Sequence, residues 1–309
     1  MTPIRALEWA GRHARLILLA GLLIVPFLPI RHAFFLPVLP VLIALLIGLA
    51  LCRLDLASIL SDLADPRFLP ALLAGIALFQ VGAAVLLTGL GTLCGARAAM
   101  LLILAAFAAA PVLNSAPNIA LMLGYDARLA LYWMLLSNMI APLTVPLALA
   151  ASGIDLPVEP ARIALKVFAI LAGGIAIGVI LRRTLGPARI AAEGKALDGV
   201  AALVMMAFLF PLMDGVRARA ASQPGLTLGL AVLALALNLG ANLALRALAA
   251  RAFARPKART MGLVFGNRNI SLMLAALPPE PSFSLFVAMA QIPIYASPLI
   301  LRALDGNEP

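Results

Sequence analysis

Charged residues are few in this chain of 309 residues, and acidic residues are the scarcest: 13 Asp and Glu stand against 23 Lys and Arg. Only 12% of the residues are charged and 64% are hydrophobic. A soluble domain is typically about a quarter charged and about half apolar. The lack of charge, together with a mean hydropathy of +1.08, excludes an ordinary soluble protein and predicts an integral membrane protein.

Histidine and cysteine are also scarce, with two of each. Cys52 and Cys94 form neither a metal motif nor a disulfide framework. His13 and His32 stand apart from any set of residues at metal-ligand spacing. The sequence has no phosphate-binding glycine loop and no nucleophile beside a base. It therefore predicts neither an enzyme nor a bound cofactor.

Long apolar runs fill the chain instead. A bilayer core needs about 20 mainly apolar residues per helix, and lipid-exposed irregular backbone cannot satisfy its polar groups. Hydropathy and breaker residues predict an all-α integral membrane fold with ten transmembrane helices: residues 14–30, 34–52, 68–92, 98–124, 128–151, 162–182, 197–216, 226–248, 259–277 and 282–303.

The net charge of +10 fits this topology without a nucleic-acid partner, because membrane proteins collect Lys and Arg in cytoplasmic loops. With a cytoplasmic N-terminus, inner segments carry 16 of these residues and outer loops carry 6. The strongest signal is RAFARPKAR at residues 251–259. We expect a multi-pass protein of the cell inner membrane with both termini in the cytoplasm. Its predicted partners are the lipid bilayer and a small-molecule substrate, with no protein partner.

Short sequences recur about half a chain apart. NIALML at 118–123 returns as NISLML at 269–274, QVGA at 80–83 as NLGA at 238–241, and APL at 141–143 as SPL at 297–299. The recurrence predicts two five-helix repeats, residues 1–153 and 160–309. Because five is odd, the second repeat must run through the membrane inverted, as in many secondary transporters.

The fourth and ninth spans each contain breaker residues near their middle. PVLNSAPN at 111–118 has two prolines, which remove backbone donors and disturb the preceding turn, and GNRN at 266–269 interrupts the ninth span. Unwound segments expose groups that hold ions or polar ligands. We expect both segments to be non-helical and to meet. A simple proline kink with asparagines joining the helices is the alternative. The candidate substrate-binding residues are Asn114, Ser115, Asn118, Asn267, Arg268, Asn269 and, in the tenth span, Gln291.

Arg268 is the most unusual of these residues. A charge at that depth costs about 2.5–3.5 kcal/mol on insertion scales and usually marks a pathway or a partner. All 13 acids of the sequence fall in loops, tails or span ends, so none is expected to pair with Arg268. A guanidinium in a polar crevice suits an anionic ligand. The alternative is that Arg268 caps carbonyl groups released by the break in the fourth span.

These features resemble the bile acid:sodium symporter family over nearly the whole length. The resemblance rests on ten spans, the broken fourth and ninth, Asn118, Asn238, the Gly266-x-x-Asn269 motif and the fifth-span run that ends on Pro142 and Pro146. It implies a panel domain (residues 14–52 and 162–216) beside a core domain (68–151 and 226–303). It also implies that the fourth and ninth helices cross in the core, and that organic anions bind between the domains.

The sequence departs from the family at its sodium ligands. The positions of the fourth-span Ser, the ninth-span Glu and the ninth-span Gln fall on Pro117, Val264 and Arg268, and the fifth-span hydroxyl positions fall on Ala130 and Met134. Arg268 would then supply the positive charge in place of sodium.

The sequence therefore predicts a secondary transporter that moves a small organic anion by alternating access without sodium. Two alternatives stay open: a sodium-coupled symporter with one weak site on Asn118, Gln80 and Asn269, and a passive channel.

Overall fold

The computed structural model of the chain describes residues 3–28, 32–54, 59, 61, 64–155, 157–213 and 215–306. These residues form an all-helical structure, which confirms the predicted class. The helices are α1 (Pro3–Arg12), α2 (Ala14–Ile24), α3 (Leu39–Leu51), α4 (Phe68–Leu93), α5 (Ala98–Ala109), α6 (Ala116–Met122), α7 (Ala127–Ala151), α8 (Pro160–Leu185), α9 (Pro187–Ala192), α10 (Gly194–Leu212), α11 (Val216–Ser222), α12 (Pro224–Ala249), α13 (Arg255–Gly266), α14 (Ile270–Ala276) and α15 (Pro281–Asp305).

Six of the described helices are long and apolar enough to cross a membrane: α4, α7, α8, α10, α12 and α15. The predicted fourth and ninth spans are instead pairs of short helices, α5 with α6 and α13 with α14, because each span is interrupted. The predicted first and second spans contain α2 and α3, of 11 and 13 residues. Residues 29–30 and 214, in the predicted first and seventh spans, lie outside the described residues. A multi-pass helical membrane protein is thus shown, while ten spans and an inverted repeat stay predictions.

The chain divides into two compact units. Unit 1 contains residues 1–55 and 169–226, and unit 2 contains residues 56–168 and 227–309. The predicted panel spans 14–52 and 197–216 lie in unit 1, and the predicted core spans lie in unit 2 apart from residue 226. The predicted sixth span is divided, because α8 runs from one unit into the other. The assignment of panel and core stays a prediction.

In unit 1, helices approach one another closely at glycines. A Cβ added to Gly48 of α3 would lie 2.6 Å from Cγ2 of Ile177, and one added to Gly174 of α8 would lie 2.6 Å from Cγ2 of Ile47. Small residues at such positions let membrane helices pack by direct van der Waals contact where no water is present to drive association. Helices α3 and α8 are therefore in direct contact at these positions.

In unit 2, one cluster of polar side chains joins the ends of several helices. Asp305, at the end of α15, binds Arg246 of α12 at 2.5 Å and lies 3.5 Å from Arg259 of α13. It also accepts a hydrogen bond from Tyr125, which precedes α7. Burial and this carboxylate raise the pKa of Tyr125 above its usual range. The cluster places the start of α7 and the end of α15 at the same end of unit 2.

Candidate functional site

The break in the first interrupted span begins at a proline. Pro111 has no N–H to donate to the preceding turn, and Ala110 before it takes the extended conformation (φ −59°, ψ 139°) that pre-proline residues favour. The chain returns to helix at Ala116, with Pro117 in the first turn of α6, where a missing donor is harmless. The break therefore covers residues 110–115.

The two breaks pair with each other through their backbones. Val112 and Arg268 form an antiparallel bridge. The N–H of Leu113 donates to the carbonyl of Asn267 at 2.9 Å, and the N–H of Asn269 donates to the carbonyl of Pro111 at 2.8 Å. The prediction that both segments leave the helix and meet is confirmed for residues 111–115 and 267–269. It is wrong for residues 116–118 and for Gly266, which are helical.

Side chains from neighbouring helices satisfy the remaining backbone groups of the first break. Gln80 donates to the carbonyl of Ala109 at 3.2 Å, and Asn138 donates to the carbonyl of Val112 at 3.1 Å. The N–H of Val112 donates to the hydroxyl of Ser137 at 3.1 Å. Unpaired backbone groups are costly in the membrane interior, so these side chains stabilise the break.

The second break is held in a similar way. Asn238 donates to the carbonyl of Gly266 at 2.8 Å and to Oδ1 of Asn267 at 3.3 Å. Oδ1 of Asn267 also accepts from Ser297 of α15 at 3.2 Å. A Cβ on Gly266 would overlap the carbonyl oxygen of Asn238, so glycine is required for α13 to pack against α12 at this point.

Gln80 and Asn238 occupy matching local structures. Each lies in a π-helical turn, Leu78–Gly82 in α4 and Ala236–Gly240 in α12. Each is almost fully buried, at 0% and 2% exposure, and donates to the carbonyl at the end of a half-helix. Their side-chain oxygens, like that of Asn138, are buried without a hydrogen-bond donor.

Arg268 lies at the crossing and is only 2% exposed. Its Nε donates to the carbonyl of Phe265 at 2.8 Å, its Nη1 to the carbonyl of Ala110 at 3.1 Å and its Nη2 to the carbonyl of Phe79 at 3.4 Å. The guanidinium carbon lies 4.7 Å from the centre of the Phe265 ring. Among the described residues, no carboxylate forms an ion pair with it.

The capping alternative is therefore confirmed for Arg268, since it binds the carbonyl that follows α5. Capping does not use the whole side chain. A guanidinium has about five N–H groups, and the three hydrogen bonds leave one N–H on each of Nη1 and Nη2. The positive charge is buried, hydrogen-bonded and not neutralised by a described acid.

Four predicted site residues, in or next to the two breaks, keep free side chains. Asn114 and Ser115 are half-buried, Asn118 is exposed on α6, and Asn269 is 6% exposed. None of the four side chains hydrogen-bonds to another described residue. Amide and hydroxyl groups at the middle of an interrupted span can thus bind a ligand.

Three other predicted residues bind the protein itself. Asn267 has 0% exposure and donates from Nδ2 to the carbonyl of Leu263 at 3.1 Å. Gln291 is 4% exposed and donates to Val287 in its own helix. Gln80 holds the end of α5. The structure therefore brings Asn267 and Gln80 to the crossing as supports, and the weak sodium site stays a prediction.

Sequence reasoning missed Ser137, Asn138 and Ser297 as parts of the site. Each is a buried polar residue within a long apolar helix, and that contrast was the available signal. Within the described part of the chain, no group of three or more His, Cys, Asp or Glu residues could hold a metal ion.

The sequence was compared with models of protein families and with curated proteins, and neither comparison gave a match.

Proposed function

We propose that this protein is a secondary transporter of small organic anions and not an enzyme. The observation that carries the proposal is Arg268, a buried guanidinium at the crossing of two broken helices, with no described acid to neutralise it. Ionisable groups within membrane spans commonly mark substrate pathways. The resemblance to the bile acid:sodium symporter family supports the same function and the same class of substrate.

The inverted repeat draws support from two observations. Gln80 and Asn238 make equivalent hydrogen bonds from equivalent π turns, one in each proposed half. The cluster around Asp305 places the start of α7 beside the end of α15, so these proposed equivalents run in opposite directions. We assign this end of unit 2 to the cytoplasm, because residues 251–259 there are strongly basic.

Transport does not require sodium in this proposal. In carriers with broken helices, unwound carbonyls and half-helix ends can bind the coupling ion. Here the carbonyls of Ala110 and Phe265 bind the guanidinium of Arg268. The side chain thus supplies a permanent positive charge at the crossing, and it cannot dissociate as sodium does.

The anion binds at the free groups beside this charge. The two remaining N–H groups of Arg268 contact its acidic group, and the free amides and hydroxyl of Asn114, Ser115, Asn118 and Asn269 bind its other polar atoms. An exposed amide such as Asn118 is costly against lipid, so it faces a hydrated crevice. Alternating access then exposes the crevice to each side of the membrane in turn.

A sodium-coupled symporter is the second candidate. It is favoured by the buried amide oxygens of Gln80, Asn138 and Asn238, which have no donor and could accept a cation or water. A passive channel is a third possibility, but the described residues show no ring of charged side chains of the kind that selects ions.

Uptake into proteoliposomes tests the function. A panel of small organic anions is first screened by ligand-induced thermal shift, and the best ligand is then measured for uptake and for exchange against internal unlabelled ligand. We expect saturable uptake accelerated by internal ligand, since that acceleration distinguishes a carrier from a channel. Replacing sodium by potassium at fixed ionic strength should change affinity by less than a few-fold. A loss of tenfold, about 1.4 kcal/mol, would favour the sodium-coupled candidate, and uptake without saturation would favour the channel.

A further inference from the structure

Helix α1 is a short amphipathic helix that precedes α2, the helix within the first predicted span. The axis of α1 is bent by 81° from the helical segment Leu16–Phe27. Interfacial helices of this kind carry an apolar face, a basic face and often a tryptophan.

One face of α1 is fixed to α10 by direct backbone contact. Ala10 is buried. A Cβ on Gly199 of α10 would overlap the carbonyl oxygen of Leu7, and a Cβ on Gly11 would overlap the carbonyl oxygen of Lys195. Two glycines therefore allow the helices to touch without intervening side chains. This contact places α1 against the first turns of α10.

The first turns of α10 also hold the ends of other helices in unit 1. Arg53, just after α3, binds Asp198 at 2.6 Å and the carbonyl of Gly194 at 3.4 Å. Arg182, near the end of α8, donates to the carbonyl of Cys52 at 3.0 Å. The apolar parts of α3 and α8 end at this level, so α1 lies where these helices leave the hydrocarbon core.

The opposite face of α1 carries the groups that an anionic membrane surface attracts. Trp9 is 50% exposed. Arg5 is exposed and Arg12 is half-buried. The Trp9 ring stacks on His13, with centroids 4.6 Å apart. The helix contains one acid, Glu8. Tryptophan concentrates at the headgroup level of membranes, and basic residues bind anionic lipids there.

We propose that α1 is an interfacial anchor of unit 1, and that its exposed face binds the headgroups of anionic phospholipids. Trp9 inserts at the boundary between headgroups and acyl chains, while Arg5 and Arg12 bind lipid phosphates. The proposal requires only that α1 lies at a membrane surface and does not depend on the transported substrate.

Tryptophan fluorescence tests this assignment directly. The chain has two tryptophans, and Trp133 is buried at 5% exposure, so the variant Trp133→Phe leaves Trp9 as the sole tryptophan. The protein is reconstituted in phosphatidylcholine vesicles with or without phosphatidylglycerol, and with lipids brominated near the headgroup or near the chain end. If Trp133→Phe does not fold, the difference between the parent and Trp9→Phe gives the same signal.

Interfacial helices bury about 5–10 Å into the headgroup region, so bromine near the headgroup should quench Trp9 roughly twice as strongly as bromine at the chain end. Phosphatidylglycerol should increase the protection of Trp9 from aqueous acrylamide. Arg5→Gln with Arg12→Gln should abolish that increase. Arg251→Gln with Lys257→Gln, which removes the same charge from unit 2, should leave it unchanged.

Three results would overturn the proposal. Full quenching of Trp9 by acrylamide with none by bromine would place α1 in water. Protection from both quenchers, together with a dimer in nanodiscs that Trp9→Ala dissociates, would assign this face to a second copy of the chain. A protection that does not change with phosphatidylglycerol would refute the role of anionic headgroups.

Discussion

Replacing Arg268 by glutamine tests capping and anion binding separately. The substitution removes the donor to the carbonyl of Ala110, and an unsatisfied buried acceptor costs about 1–3 kcal/mol. It also removes a charge whose insertion costs about 2.5–3.5 kcal/mol. The two effects oppose each other and are of similar size. We therefore expect Arg268→Gln to fold, with a stability within about 2 kcal/mol of the parent.

Anion affinity should respond much more strongly than stability. A hydrogen bond to a charged group contributes about 1.5–3 kcal/mol, so Arg268→Gln should weaken binding roughly 10- to 150-fold. Arg268→Lys retains the charge but not the planar fork and should retain part of the affinity. The measurement is a thermal-shift titration with the anion that stabilises the parent most, followed by proteoliposome uptake.

Arg302→Gln is the matched control for this experiment. Arg302 also caps a helix-end carbonyl, that of Met122 at 2.9 Å, but in an exposed setting. Its loss should leave anion affinity unchanged. A stable Arg268→Gln protein with the parent's affinity would refute the counter-charge role. An Arg268→Gln protein that cannot be folded, beside an Arg268→Lys protein that folds and binds no anion, would leave Arg268 with capping alone.

Three further predictions concern the scaffold of the site and are measured by thermal unfolding. Gln80→Leu and Asn238→Leu should each lower stability by about 1–3 kcal/mol, because each leaves a half-helix carbonyl without its donor; unchanged stability in both would contradict their supporting role. Gly266→Ala should lower the unfolding midpoint, since its methyl group would overlap a backbone oxygen, whereas Gly240→Ala meets nothing within 4 Å and is the control. Asp305→Asn should cost about 1–3 kcal/mol, because two arginines lose their carboxylate, and the loss should change little with salt, since Asp305 is largely buried.

The location of the candidate site could be predicted from the sequence, because the site contains residue types that are unusual within an apolar span. Pro111 removes a donor wherever it stands, and an arginine inside an apolar span requires partners. The exact limits of the break could not be predicted. A proline such as Pro117 breaks a helix when it stands in the interior, but it is tolerated in the first turn. Which of these applies depends on where the helix starts, and the sequence does not show that position.

The partners of Arg268 were not predictable from residue types. They are backbone carbonyls, which every residue carries, and their availability depends on where α4 and α5 lie in space. The π turns at Gln80 and Asn238 could not be predicted for the same reason. Each is stabilised by the hydrogen bond that its side chain donates to a carbonyl of another helix. Helix α1 was missed because its 10 residues are too few and too polar for a membrane span.

The way in which Arg268 is held limits how it can bind a ligand. One N–H on each of Nη1 and Nη2 is free, while Nε is bound to the carbonyl of Phe265. An anion that uses only the free N–H groups leaves the crossing intact. An anion that needs the N–H now given to Ala110 must leave that carbonyl without its donor, which costs about 1–3 kcal/mol. The hydrogen bond to Ala110 forms again when the anion leaves, and this free energy is then recovered. The capping carbonyl therefore competes only with an anion that needs this N–H, and an anion whose acidic group fits the two free N–H groups is favoured.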